Sequence, residues 1–498
     1  MKHLFALCVL ACATFAALAQ PLQQWTQTYT IDTTAYEGTN DMVTDANGNI
    51  YQLIQTQVYL QNSTLFKPVI RKVASNGTVV WSYIYTHGGS NDVTFNNIGI
   101  DDSGNVYLAG YRLTTGQNGT YFWHAIKLDN DGNYQWQHEL SDLAVENRAN
   151  KLIVHNNAIY IAGYTYNAGD GIKTLLVKLD ATGSETWKRY MDCTTSWDSS
   201  PLLIMPSGNI LTGCNDSIVI LQPDGSHYAA ADTSLGIYNN VSFAVDANNN
   251  TYTFHWQSYD YVVRKFDANA NLLWTRDSIG NYLAFGDWQI PMVTDGNGNV
   301  YVGSIIDSQS GMDSVYLYKL NTSGAVVWKK LLDYDPASLV YRNNKLYAAG
   351  ASMYSGQSAI LQIDPVTANV DWTVSQGDSV QQSQTDKLLI DNSGAFVYAS
   401  RTVGMGYWDA VLSRYTGNTT GISEVEGLSF SLYPNPANGY VVVAVNINNA
   451  TLSIHDIQGR LVAEHELSAT ANLIDITNLN SGMYLTKVGG TVKRFVKE

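Results

Sequence analysis

The feature that most constrains the fold is a pair of short phrases that recur along most of the chain. The first is an apolar run, then Asp-x-x-Gly-Asn or a relative, then an apolar stretch with a tyrosine, as at 43–51, 100–107 and 293–301. The second is Lys-Leu-Asp or similar, usually a glycine, and then a tryptophan. Trp81, Trp136 and Trp187 of this phrase are 55 and 51 residues apart. Such regular spacing predicts a chain of repeated structural units.

Each phrase has the composition of a β-hairpin. Asn-Gly and Asp-Gly favour tight turns, and alternating apolar residues flank them. Two hairpins give one four-stranded unit, and four-stranded units repeated at this spacing predict the blades of a β-propeller. The recurring tryptophans are then expected between blades, in the core. The sequence therefore predicts an all-β fold with eight four-stranded blades, and seven is the alternative if the weak fourth copy, 219–228, is absorbed elsewhere.

The last copy stops before its tryptophan strand, whereas residues 21–29 read as an outer strand without a unit of its own. We therefore predict that this N-terminal strand completes the last blade, because a closed ring leaves no long free sheet edge. Residues 21–417 resemble the bacterial β-propeller repeat proteins and, more distantly, the quinoprotein-type propellers. The resemblance implies a fold rather than an activity. The adjacent cysteine pair that often accompanies quinoprotein sites is absent from the sequence, so quinone-dependent oxidation is not expected.

The composition changes near Ile422, and three phrases follow that differ from the repeat. Short alternating strands with turn residues predict a small immunoglobulin-like β-sandwich. The phrases resemble the type IX secretion (Por) sorting domain of the Bacteroidetes. This resemblance implies a transport tag recognised by the type IX machinery, removed after export, with the cargo released or attached to the cell surface. The motif residues are Tyr433, Pro434, Asn435, Pro436, Asp456, Gly459, Arg460, Leu479, Gly482, Tyr484, Lys493, Arg494 and Lys497.

The first residues have the order of a secretory signal: Lys2, an uncharged apolar run and Ala17-Leu18-Ala19. We therefore expect a signal peptide at 1–19, a propeller at 20–420 and a sorting domain at 424–498, in a protein that is secreted or held at the outer surface. Cleavage leaves Cys193 and Cys214, which are either bridged or two separate thiols. The net charge of −15 disfavours nucleic acid and anionic membranes, and we expect a monomer that does not span a membrane.

No catalytic motif with a known mechanism occurs in the sequence. Residues 129–133 and 295–299 crowd oxygen atoms of the kind that bind calcium, but their spacing is not that of a calcium loop and hairpin turns explain both phrases. We expect no cofactor and no metal site. Isolated histidines such as His124 and His255 are expected to be structural.

Strand parity predicts where binding would occur. The tight turns of all blades share one face of the disc, and the longer connections share the opposite face, here called the loop face. Loops on a rigid scaffold are where binding concentrates, and aromatic rings beside carboxylates suit sugars. We predict binding of a glycan or protein on the loop face, and the alternative is an extracellular hydrolase or lyase that uses carboxylates there. The candidate residues are Trp123, Trp197, Trp256, Trp288, Trp408, Asp198 and Asp287.

Overall fold

The computed structural model describes most of the chain as two compact units, Met1–Thr419 and Thr420–Glu498. The described residues are 20–30, 35–60, 63–86, 93–113, 120–140, 146–167, 169–192, 201–214, 217–232, 238–257, 260–280, 291–306, 314–352, 355–377, 383–403, 407–416, 430–445, 450–456, 460–467, 471–488 and 491–498. The expected signal peptide, 1–19, and Cys193 lie outside them.

The first half of the propeller unit contains a single N-terminal strand followed by four blades. In chain order the strands are β1 (Gln23–Tyr29); blade 1, β2 (Ala35–Thr44), β3 (Ile50–Leu60), β4 (Ser63–Val73) and β5 (Val79–Ile84); blade 2, β6 (Val93–Ile100), β7 (Val106–Leu113), β8 (Tyr121–Leu128) and β9 (Tyr134–Leu140); blade 3, β10 (Glu146–His155), β11 (Ala158–Asn167), β12 (Gly171–Leu179) and β13 (Glu185–Asp192); and blade 4, β14 (Leu202–Ile204), β15 (Ile210–Cys214), β16 (Ser217–Leu221) and β17 (His227–Asp232).

The second half contains blades 5 to 8. They are blade 5, β18 (Tyr238–Val245), β19 (Thr251–Gln257), β20 (Asp260–Phe266) and β21 (Leu272–Arg276); blade 6, β22 (Met292–Thr294), β23 (Val300–Ile306), β24 (Ser314–Leu320) and β25 (Val326–Leu332); blade 7, β26 (Asp335–Arg342), β27 (Lys345–Ala351), β28 (Ser358–Ile363) and β29 (Val370–Gln376); and blade 8, β30 (Ser383–Ile390), β31 (Phe396–Val403) and β32 (Trp408–Tyr415). The described residues thus form eight blades, which confirms the all-β propeller and the higher blade count.

Blade 8 is completed by the N-terminal strand, as predicted. Strand β1 pairs antiparallel with β32, from Gln23 opposite Tyr415 to Tyr29 opposite Ala410. The sheet order β1-β32-β31-β30 makes β1 the outermost strand. The two ends of the propeller sequence are therefore held by one set of backbone hydrogen bonds, which leaves β32 without a free edge.

The tryptophans of the repeat lie between blades, and all of those described except Trp372 donate to a turn of the next blade. The indole Nε1 of Trp81 donates to Asn130 O at 2.9 Å, and that of Trp136 donates to Ala181 O at 3.2 Å. The backbone of the glycine in the same turn packs against the indole ring. A Cβ added to Gly132 would be 2.7 Å from the Trp81 ring. The indole therefore contributes both apolar area and a directed hydrogen bond to the blade contact.

A lysine accompanies the tryptophan, and its role was not apparent from the sequence. Lys127 lies opposite Trp136 on the neighbouring strand, and its Nζ donates to the same Ala181 O at 3.0 Å. Its ammonium group also lies 5.2 Å from the centroid of the Tyr107 ring, within the range of a cation–π interaction. We call this set of tryptophan, lysine and acceptor carbonyl the latch. Equivalent pairs donate to one carbonyl at Trp81 with Lys72, Trp187 with Lys178 and Trp328 with Lys319.

The second unit is a small β-sandwich, as expected from its alternating strands. Its strands are β33 (Phe430–Tyr433), β34 (Tyr440–Val445), β35 (Ala450–His455), β36 (Leu461–Leu467), β37 (Ala471–Asp475), β38 (Gly482–Val488) and β39 (Thr491–Lys497). They form two antiparallel sheets, ordered β33-β34-β37 and β36-β35-β38-β39. A common apolar core that includes Val441, Leu452, Ile474 and Phe495 fills the space between them.

The close approach of glycine and indole predicts a measurable difference between two glycines of similar backbone geometry. Gly132 and Gly208 have φ angles of +83° and +84°, so alanine is strained equally at both, by about 1–2 kcal/mol. At Gly208 the described chain has no atom within 4 Å of an added Cβ, whereas at Gly132 the Trp81 ring is 2.7 Å away. Gly132→Ala is expected to lower the free energy of unfolding by about 1–3 kcal/mol more than Gly208→Ala. Denaturant unfolding of both variants measures this, and equal losses would contradict the latch geometry.

Candidate functional site

One of the predicted binding residues belongs to the core. Trp123 is 3% exposed, and its Nε1 donates to Tyr164 O of blade 3 at 3.2 Å. A Cβ added to Gly163 would be 2.7 Å from the Trp123 ring. An indole enclosed between blades 2 and 3 has no free face for a ligand, so the prediction for Trp123 is wrong. Trp123 is the third residue of β8, close to the preceding loop, but the alternation of side chains along the strand directs it into the space between the blades.

The other predicted residues have different positions. Trp408 is partly exposed at the start of β32, opposite Val403 and therefore at the loop face of blade 8. Trp256 lies in β19, opposite Tyr261 of β20. Trp197, Asp198, Asp287 and Trp288 lie outside the described residues. Their role in binding stays a prediction.

A cleft opens at the loop face where blade 8 meets blade 1. Its volume is about 140 Å³, enough for a small polar group or one part of a larger ligand. All of its lining residues lie near the loop-face ends of strands β2, β3, β30 and β31. They are Tyr36, Gly38, Thr39, Asn40, Gln55, Gln57, Asp386 and Arg401.

The register of the strands explains why this gap is open. Between blades 2 and 3 the corresponding space holds Trp123 opposite Tyr111, with the Arg148 guanidinium 4.8 Å from the Tyr111 ring centroid. In blade 8 the position of Trp123 is taken by Ala410, opposite Arg401. In blade 1 the position of Arg148 is taken by Gly38, two residues before the β-bulge of the inner strand. Small residues therefore leave empty the space that an indole and a guanidinium fill elsewhere.

An ion pair forms one wall of the cleft. Arg401 Nε is 2.8 Å from Asp386 Oδ1, and Thr39 N donates to Asp386 Oδ2 at 3.0 Å. The arginine also lies 5.4 Å from the Tyr36 ring centroid. Burial raises the pKa of the Asp386 carboxyl well above its ordinary value, although the hydrogen bond from Thr39 N lowers it in part. The guanidinium at 2.8 Å favours the ionised carboxylate, and we regard the two side chains as a charged pair.

Gln55 is the polar side chain of the cleft whose hydrogen bonds are not satisfied within the described chain. Both its Nε2 and its Oε1 are buried without a partner. A buried carboxamide without partners costs free energy, and a ligand with hydroxyl groups can both donate to Oε1 and accept from Nε2. Tyr36 and Arg401 supply an aromatic face and further donors beside it. The arrangement is suited to a polar, hydroxylated ligand.

The cleft was not predicted from the sequence, because its residues lie in strands and not in the loops. A usable signal was present in β3, which reads IYQLIQTQVYL. Gln52, Gln55 and Gln57 interrupt a strand whose equivalents in other blades are mostly apolar or small. A polar side chain in a core strand needs a partner, so such a run indicates either a hydrogen-bond network or a site.

The two isolated histidines are structural, as expected. His124 is fully buried and takes part in a chain in which its Nε2 is 2.6 Å from Tyr85 Oη and its Nδ1 is 3.1 Å from Glu139 Oε1. Arg112 completes the chain with an ion pair to Glu139 at 2.9 Å. The hydrogen bond from His124 lowers the pKa of Glu139 to about 2, and Arg112 contributes to the same lowering.

In the oxygen-rich turns at 129–133 and 295–299 the aspartate accepts hydrogen bonds from the backbone of its own turn. Asp129 Oδ1 accepts from the N–H groups of Asp131 and Asn133 at 3.0 and 2.8 Å, and Asp295 Oδ1 accepts from those of Asn297 and Asn299 at 3.0 and 2.9 Å. In the described ranges no group of three His, Cys, Asp or Glu side chains is placed to hold a metal ion. The same ranges contain no helix of the length and apolarity needed to cross a bilayer.

The motif residues of the C-terminal unit stabilise its fold. Asn435 connects the opening segment to the last strand, because its Oδ1 accepts from Val496 N at 3.0 Å and its Nδ2 donates to Arg494 O at 3.2 Å. Asp456 and Arg460 form an ion pair at 2.7 Å across their turn, whose Gly459 lies outside the described residues. Tyr484 is buried and donates to Asn480 O at 2.8 Å.

The remaining motif residues lie near the surface or at the last strand. Tyr433, Pro434 and Pro436 are exposed, and Gly482 begins β38. Lys493 lies 5.6 Å from the Phe430 ring centroid, and Lys497 is mostly buried.

Residues 431–498 match the family described as the secretion system C-terminal sorting domain. The C-terminal unit is a type IX sorting domain. The protein is therefore exported, and it is secreted or attached to the outer surface. No curated protein matches the chain.

Several solved structures resemble the chain in fold. BamB from Moraxella catarrhalis is 11% identical, with 80% of this chain and 100% of that chain covered and a TM-score of 0.46. The Pan2 WD40 domain of Neurospora crassa is 8% identical over 77% of this chain and 90% of that chain, with a TM-score of 0.41. The polysaccharide lyase Uly1 is 10% identical over 79% and 99%, also with a TM-score of 0.41. Likenesses at this level carry no information on activity.

The buried His255 predicts a pH dependence of stability. Burial lowers the pKa of His255 to about 3, and the neighbouring Arg264, whose guanidinium is 3.1 Å from Nε2, lowers it further. A lowered histidine pKa stabilises the fold above about pH 6.5, the unfolded value, and this contribution is lost as the pH falls towards 3. Each pH unit below 6.5 should cost up to about 1.4 kcal/mol.

His255→Gln keeps an acceptor for Arg264 and does not titrate. The variant is expected to lose less stability than the parent between pH 7 and pH 5, a range above the ordinary pKa of carboxylates. Denaturant unfolding at the two pH values measures the difference. Parallel losses in parent and variant would show that His255 does not take up a proton on unfolding.

Proposed function

We propose that the exported propeller binds a glycan through the cleft between blades 8 and 1. The observation that supports this most directly is Gln55, a buried carboxamide with neither donor nor acceptor satisfied by the described chain, in the wall of an open cleft. A hydroxyl group both donates and accepts, so a glycan can satisfy both of its atoms at once.

The surroundings of Gln55 favour a sugar over an apolar ligand. The Tyr36 ring offers an aromatic face, while Asn40, Gln57 and Arg401 add polar groups around it. Apolar pockets are lined mostly by hydrophobic side chains, which is not the case here. Trp408, on the same face of blade 8, and the predicted Trp197, Trp256, Trp288, Asp198 and Asp287 would extend contact to further sugar units.

Export is consistent with such a ligand. A protein that is secreted or attached to the outer surface meets extracellular polysaccharides, and a net charge of −15 leaves neutral or weakly charged polymers as the favoured partners. The rigid blade scaffold supports the proposal further, since binding groups on rigid strands need little ordering when a ligand arrives.

Glycan-array and polysaccharide pull-down measurements on residues 20–498 test the proposal. Gly38→Met should fill the cleft, because a Cβ at Gly38 meets Arg401 only at an ordinary 3.6 Å. Gln55→Leu removes the unsatisfied amide at similar volume. Each change is expected to weaken glycan binding about tenfold or more, as the loss of one buried hydrogen-bonding group costs about 1–3 kcal/mol.

Gly296→Met is the matched control, because this glycine lies on the tight-turn face and the described chain has no atom within 4 Å of its added Cβ. It should bind as the parent does. Binding that survives Gly38→Met and Gln55→Leu would contradict the cleft as the site. Absence of any glycan ligand would favour a protein partner, and release of shortened products would indicate the hydrolase or lyase that the sequence leaves as the alternative.

A further inference from the structure

The gap between blades 4 and 5 encloses an arginine whose charge has no carboxylate partner in the described chain. Arg264 of β20 is 2% exposed. Its Nη1 is 3.1 Å from His255 Nε2, and its Nη2 donates to Gln257 Oε1 at 2.6 Å. Burial lowers the pKa of His255 to about 3, so this ring is neutral near pH 7. Both partners of the guanidinium are therefore uncharged.

Three other arginines of the propeller each form an ion pair with a carboxylate of the chain. The pairs are Arg112 with Glu139 at 2.9 Å, Arg148 with Glu146 at 2.7 Å and Arg414 with Asp391 at 2.5 Å. Arg264 differs from them, because burial lowers the pKa of its guanidinium and none of the carboxylates in the described chain raises it. A buried charge without a counter-charge is costly, so this one calls for a negative partner.

The unsatisfied polar atoms beside this guanidinium are groups that can donate a hydrogen bond. An arginine has no acceptor atom, so His255 Nε2 accepts from it and the ring hydrogen is on Nδ1. Arg264 Nε and His255 Nδ1 are both buried without a partner. The hydroxyl groups of Thr251 and Thr253, on the same face of β19 as His255, are also buried without a partner. The missing group is therefore an acceptor.

Blade 4, which forms the other wall of this gap, is short at the loop-face end. Strands β15 and β19 both begin directly after the asparagine of their turn, but β15 has five residues and β19 has seven. Gln257, the last residue of β19, therefore lies beyond the end of β15. The residues of blade 4 that face the gap near this end are small or apolar. They are Gly213, Ile218 and Ala231. These strands offer Arg264 no carboxylate.

We propose that the loop-face end of the gap between blades 4 and 5 binds one small monoanion, a carboxylate or a halide, at Arg264 and His255. The anion supplies the negative charge that the guanidinium lacks, and it accepts hydrogen bonds from Arg264 Nε and His255 Nδ1. The two threonine hydroxyls of β19 add further donors. This gap is on the opposite side of the eight-bladed ring from the cleft between blades 8 and 1, and the site does not depend on the glycan proposal.

Thermal unfolding of residues 20–498 in increasing sodium acetate or sodium bromide tests the site. The melting temperature of the parent is expected to rise by about 2 °C more than that of Arg264→Met, because a ligand of the native state stabilises it by mass action. Arg276→Met is the matched control. It removes an exposed arginine of the same blade, so its melting temperature should rise as that of the parent does. General effects of salt are common to the three proteins and cancel in the comparison.

Two further measurements decide the matter. In buffer without small anions, Arg264→Met is expected to melt no more than about 1 °C below the parent, since it removes an uncompensated charge and keeps an apolar side chain. A much larger loss, or failure to fold, would overturn the proposal because the chain itself would then compensate Arg264. An equal rise of parent and Arg264→Met in acetate and bromide would overturn it too. In crystals of the parent soaked in bromide, an anomalous signal should lie beside Arg264 Nε, and its absence there would contradict the site independently of any variant.

Discussion

The propeller depends on one repeated contact, in which a tryptophan and a lysine of one blade donate to the same backbone carbonyl of the next. In the contact between blades 3 and 4, Trp187 Nε1 and Lys178 Nζ are 3.2 and 2.8 Å from Pro223 O. The two donors use the two lone pairs of one turn carbonyl. Apolar packing alone has no direction, so this shared acceptor sets the distance and the angle from one blade to the next.

Some blades lack one or both donors of the latch. In blade 4 the lysine position holds Ile220 and the tryptophan position opposite it holds Ala229. The hydroxyl of the preceding Tyr228 lies 3.3 Å from Asn269 Oδ1 of blade 5. Apolar packing of Ile220 against Phe266 replaces the latch in that gap. In blade 7 the lysine is replaced by Gln362, and the Trp372 Nε1 is buried without a partner in the described chain. In blade 8 the residue opposite Trp25 is Arg414, and Trp25 Nε1 still donates to Ser75 O of blade 1 at 2.9 Å. The tryptophan contact therefore does not require the lysine.

Most of the fold was predictable because its signals are local and repeated. Turn chemistry at Asp129–Gly132 and period-two alternation define each hairpin, and the tryptophan spacing counts the blades. The unpaired strand at 21–29 identified the closure, since an edge without a partner must be covered. Trp123 could not be placed in the same way, because the direction of a side chain at a strand end depends on which residue first enters the ladder. An error of one residue in the start of the strand moves the side chain to the opposite face of the sheet.

The cleft was beyond the sequence for a different physical reason. It is defined by the absence of side chains that other blades supply: Gly38 and Ala410 leave open a space that Arg148 and Trp123 fill between blades 3 and 2. Ring closure brings the first and last blades together, so Asp41 meets Lys387 across 346 residues of sequence. The gap between blades 8 and 1 is also the one in which β1 joins the two ends of the propeller. The tryptophan contact is present at this gap too, since Trp25 Nε1 donates to Ser75 O at 2.9 Å. The gap is therefore held at its outer edge as the others are, and the small residues Gly38 and Ala410 alone leave room for Gln55 and Arg401 to line a cleft.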